Sequence, residues 1–159
     1  MSDLVWADVK RFFDPELMGA LPDLRVPEVS VAGWQALLDL VVESDWPFQY
    51  IEGEATLPVP RAKDVLSRPY GTAYPQLRVW PAADMLAIFR FTAADEIDFD
   101  VDLRQLQGQE RLDLFCRFLA AIGRRLGRPV LMNPEGGSGS CAVLGFDVEA
   151  ERVALRRGG

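Results

Sequence analysis

The chain has 159 residues, of which 49% are apolar and 26% charged, the profile of a folded globular domain and not of a disordered or collagen-like chain. Seventeen basic side chains against twenty-four acidic ones leave a net charge of −7, which argues against nucleic-acid binding through the whole surface because phosphate neutralisation needs a basic face. There is no histidine, so Ser-His-Asp chemistry and His-ligated zinc are excluded.

The opening, Met1-Ser2-Asp3, leads into a mixed stretch with Asp8, Lys10 and Arg11 and carries neither a basic start nor a cleavage signature. No apolar run approaches the ~20 residues that cross a bilayer. The reading is a cytoplasmic protein, one domain over residues 1–159, with no membrane contact. Val5, Val9, Phe12 and Phe13 recur at helical spacing behind Ser2, which predicts a short amphipathic helix. Residues 14–30 hold Pro15, Gly19, Pro22 and Pro27 and read as a loop wrapping the domain.

Ser30 is the expected cap of a helix in which Trp34, Leu37, Leu38, Val41 and Val42 form a buried stripe. Phe48 to Ile51 reads as a strand. Residues 53–75, with five prolines or glycines beyond Gly53, read as a long connection of the kind that carries function. Leu77 to Trp80 and Leu86 to Phe91 form a predicted antiparallel hairpin. In Glu96 to Leu103, Ile97, Phe99, Val101 and Leu103 alternate with Glu96, Asp98, Asp100 and Asp102, which gives an extended segment one apolar and one carboxylate face.

Leu112, Phe115, Leu119, Ile122 and Leu126 repeat at three and four and predict the strongest helix, stopped by Gly127 and Pro129. Strands follow at 130–132, 142–146 and 152–155, before a flexible tail at 155–159. The expected class is α+β: a mainly antiparallel sheet of five to six strands with two or three helices packed on one face.

Cys116 and Cys141 read as small buried hydrophobes, not as a disulfide framework. Gly136 to Ser140 suggests a phosphate cradle, but no Lys and Ser/Thr open a helix after it, so it reads as a hairpin loop. Asp98, Asp100 and Asp102 stand about 6.8 Å apart along a strand, too far for one cation to gather all three. No metal or cofactor is expected. The carboxylates of Glu96, Asp98, Asp100 and Asp102 are taken as a contact surface for a protein with a basic face, and Trp46, Tyr50, Tyr70 and Tyr74, which border the proline-rich connection, as aromatic anchors. Glu52 and Glu54 can be read as a catalytic carboxylate pair, but only their spacing recommends it.

Through Glu96-Ile97-Asp98-Phe99-Asp100-Val101-Asp102-Leu103 and the run from Ile122 to Met132, the sequence resembles the immunity proteins that neutralise bacterial toxins. Lysine occurs only twice, at Lys10 and Lys63, a bias that fits a GC-rich bacterial genome. The resemblance implies a stoichiometric, non-catalytic inhibitor whose carboxylate face meets a basic toxin surface, as a monomer or homodimer. Two alternatives are a secretion-type chaperone, which would dimerise, and an enzyme of unknown class working through carboxylates, which would need a deep pocket.

Overall fold

The computed structural model describes residues 4–68, 74–136 and 142–156. Within them the chain forms one antiparallel sheet of nine strands with five α-helices, which corrects the expected five to six strands and two or three helices. In chain order these are α1 (Trp6–Val9), α2 (Pro15–Met18), β1 (Asp23–Val26), α3 (Val31–Glu43), β2 (Phe48–Glu52), β3 (Ala55–Leu57), α4 (Ala62–Leu66), β4 (Gln76–Ala82), β5 (Met85–Arg90), β6 (Ile97–Asp100), α5 (Gln109–Leu126), β7 (Val130–Asn133), β8 (Leu144–Asp147) and β9 (Arg152–Leu155). Single 3-10 turns occupy Lys10–Phe13 and Leu103–Gln105.

The strand order is β3-β2-β4-β5-β6-β1-β7-β8-β9. β1 is inserted between β3-β2-β4-β5-β6 and β7-β8-β9, pairing with β6 on one side and β7 on the other; within the first array β2 and β4 are neighbours although β3 and α4 lie between them in the chain. Residues 23–26 were expected to lie in a loop; they form a central strand. The segment alternates half-buried Asp23 and Arg25 with Leu24 and Val26, both 0% exposed, so its period of two is real but only four residues long. The proline-rich connection likewise contains β3, fully exposed along its length, and the short helix α4.

α3 begins where Ser30 Oγ accepts the Gly33 N–H at 3.2 Å, which satisfies one of the first-turn amides. α5 ends at Gly127, whose left-handed backbone (φ 63°) returns its N–H to the Gly123 carbonyl. Both helices lie on one side of the sheet and are bridged by the Arg125–Glu43 ion pair at 2.8 Å. Leu112, Phe115, Phe118, Leu119 and Ile122 of α5 meet the inner faces of the strands, where Leu24, Leu77, Phe89, Phe99, Met132 and Phe146 are buried. Phe89 and Phe99 stack at 4.5 Å across β5 and β6, and Phe118 meets both edge-on. Cys116 is buried on α5; Cys141, the loop 137–140 and the final diglycine fall outside the described residues.

Candidate functional site

Every strand has two faces, and the outer one here carries the charges. The register lines up Gln49, Arg78, Ile88, Asp100, Asp23 and Asn133 in one row across β2, β4, β5, β6, β1 and β7. Beside it runs a second row of Ile51, Gln76, Arg90, Asp98, Arg25 and Leu131. Asp23, Arg25, Arg90, Glu96, Asp98, Asp100 and Asn133 line an open concavity of about 570 Å³ at the centre of this face.

Arginines cut through the carboxylates there. Arg90 donates through Nε to Asp100 at 3.0 Å, with Nη2 at 2.9 Å, and Arg25 lies 3.7 Å from Glu96. Asp98 faces Arg90 on one side and Arg25 on the other, and accepts from Thr92 Oγ1 at 3.2 Å. Glu96, Asp98 and Asp100 thus do lie on the face opposite the core, but they belong to a mixed-charge surface and not to a uniformly acidic one. Four carboxylates against two guanidinium groups leave this concavity at −2.

Asp23 and Asp100 stand directly opposite one another on neighbouring strands, an arrangement that destabilises a sheet when both are ionised. Burial raises the Asp23 carboxyl above its ordinary value, the charges on Asp100, Asp98 and Glu135 push it the same way, and a hydrogen bond from the Gly136 N–H opposes them. A raised carboxyl means that the folded state holds its proton more tightly than the unfolded one, so this group's contribution falls as pH rises above the ordinary value of 3.8 and stays unfavourable at neutrality. Asp23→Asn, which keeps an oxygen for Gly136, is expected to stabilise the protein at pH 7 by roughly 0.5 kcal/mol. In urea unfolding at pH 4 and pH 7, that gain should shrink at the lower pH; a loss of stability at pH 7 contradicts the repulsion.

Asp102 leaves the row. Its Oδ1 accepts the Arg104 N–H at 3.0 Å and its Oδ2 pairs with Arg104 Nη2 at 2.8 Å, so it caps the 3-10 turn that ends the extended segment. These bonds hold its carboxyl below the ordinary range. Of the four aromatic anchors, Tyr50 is 1% exposed and belongs to the core, because it lies on the inner face of β2. Trp46 is half-buried, edge-on to Phe118 at 5.0 Å. Tyr74 is 75% exposed, and Tyr70 lies outside the described residues.

The Tyr50 hydroxyl donates to Glu52 Oε2 at 2.6 Å, and Arg68 pairs with the other Glu52 oxygen. Both partners favour the carboxylate, Arg68 more strongly, and lower its affinity for a proton, while burial and the Glu52 bond raise the Tyr50 hydroxyl. Glu52 therefore ties the connection after α4 to the sheet, and Glu54 is exposed in the β2–β3 turn. Neither forms an acid-base couple with the other.

Trp80, at the end of the predicted strand from Leu77, is half-buried at a bulge where the β4–β5 register shifts between Val79 and Ala82. Two residues earlier, Arg78 has its Nε shut off from solvent with no hydrogen-bond partner and pairs with no carboxylate among the described residues. Asp23, Arg25, Arg78 and Arg90 were not read as site residues; alternation places each on an outer face, but only strand order shows that these faces are one. Among the described residues no three acidic or cysteine side chains are placed to hold a metal ion, and no helix is long and apolar enough to cross a membrane. No family model matches the chain, nor does any curated protein or solved structure.

Proposed function

We propose that the chain is a non-catalytic protein-binding module that receives a basic partner on the outer face of its sheet. The carrying observation is the Asp23–Asp100 opposition, with Asp98 beside it, at the centre of an open concavity. In the free protein these carboxylates repel one another. A lysine or arginine from a partner would relieve that repulsion, and the net charge of −7 would accelerate its approach. A cytoplasmic toxin-neutralising role, in which the partner is a basic toxin, is the form of this reading that the resemblance to immunity proteins favours. Among the described anchors, Tyr74 is the exposed one and is available to such a partner.

The test uses Asp23→Asn combined with Asp98→Asn. Lysine at position 98 would stand between Arg25 and Arg90 and confuse binding with stability, whereas the neutral pair leaves the sheet sound. Tagged wild-type and variant proteins are used to capture partners from host cells, and the wild-type partner is purified for titration. The variant is expected to fold normally and to bind that partner at least ~10-fold more weakly. Equal affinity for the variant, or a captured partner with an acidic contact surface, refutes the proposal.

A further inference from the structure

The outer sheet face is bipolar. In the row that crosses β4, β5, β6 and β1, Arg78 stands at one end, without a carboxylate partner among the described residues and with its Nε hidden from solvent. At the other end stands Asp23, three strands away, raised by burial and by its carboxylate neighbours. Between them lie Ile88, half-buried, and Asp100, already satisfied by Arg90. Strands sit about 4.8 Å apart, so Arg78 and Asp23, neither of which has an ion-pair partner among the described residues, are separated by roughly 14 Å.

Resting on the binding reading above, we infer that the partner presents an extended segment bearing an acidic residue and a basic residue four positions apart, the acid over Arg78 and the base over Asp23. Four residues of extended chain span about 13.6 Å, and the even spacing turns both side chains toward the same surface. The residue midway between them also points down, between Ile88 and the Arg90-paired Asp100, where an apolar side chain can lie against Ile88. A planar guanidinium can donate two parallel bonds to a carboxylate, which gives Arg78 the charge partner that no described residue provides. Simple attraction to an acidic protein predicts something different: a doubly basic segment should bind best.

Blocked peptides with the cores Glu-Thr-Leu-Thr-Arg and Arg-Thr-Leu-Thr-Glu are titrated against an Arg-Thr-Leu-Thr-Arg control, following backbone amides of β4 to β1 and the Arg78 Nε–H by nitrogen-15 NMR. One mixed-charge direction is expected to bind about five-fold more tightly than the doubly basic control, to shift the Arg78 Nε–H where the control does not, and to lose its advantage in Arg78→Gln. Tighter binding of the doubly basic peptide at the same amides, or a preference that survives Arg78→Gln, overturns the bipolar inference while leaving a basic partner in place. If no peptide moves the β6 and β1 amides, the bipolar inference and the outer-face reading are both overturned.

Discussion

Phe118→Ala is expected to cost about 3–5 kcal/mol, the usual loss when a fully buried ring is truncated. Phe118 is 1% exposed, and its ring meets Phe89, Phe99 and Trp46 with centroids at 6.3, 5.9 and 5.0 Å. It is the point where α5, the two central strands and the chain leading into β2 come together, so no single neighbour can move in to refill the space. Against a total stability of about 5–15 kcal/mol, the variant should be marginal, with a melting temperature lower by roughly 10 °C. Urea unfolding of wild type and variant checks this. A loss below about 1.5 kcal/mol would mean that α5 does not seat on β5 and β6 through this ring.

Gly123→Ala should also destabilise, by about 2 kcal/mol, although the same change in an exposed helix gains roughly 1 kcal/mol. A Cβ at Gly123 would enter the ring of Phe146 on β8, which is itself 1% exposed. The glycine is what lets the last turns of α5 approach the strand this closely. Phe146→Ala opens the space that the new methyl needs, so the two substitutions should be less than additive by at least ~1 kcal/mol in a double-mutant cycle. Neutral behaviour of Gly123→Ala, or strict additivity, is the result that rules out the close approach.

α5 was legible because eighteen residues provide five turns of periodic signal, and the β4–β5 hairpin because both strands bury alternate residues. β1 was hidden by its brevity and by Pro22 and Pro27 on either side. β3 buries nothing, so it leaves no pattern to read. The acidic alternation from Glu96 to Asp102 was visible, yet its electrostatic meaning was not: Arg90 pairs with Asp100 from β5, Arg25 reaches Glu96 from β1, and Asp102 turns to Arg104. Which charges meet is fixed by strand order, and strand order is a long-range property that local periodicity does not encode. Tyr50 misled for a related reason, since bordering a proline-rich connection says nothing about which face of β2 a side chain takes.

The position of β1 governs how the molecule comes together. Two arrays, β3-β2-β4-β5-β6 and β7-β8-β9, can each assemble from strands close in the chain, with β2 and β4 separated only by β3 and α4, but they share no ladder until the early strand slots between them. Closure of that seam draws together segments far apart along the chain, and such late, non-local steps slow folding. Until it happens β6 and β7 both present bare amide edges, the kind of surface that recruits foreign strands. The same insertion brings Asp23 and Arg25 to Asp98 and Asp100, so the charged concavity exists only in chains whose seam has closed.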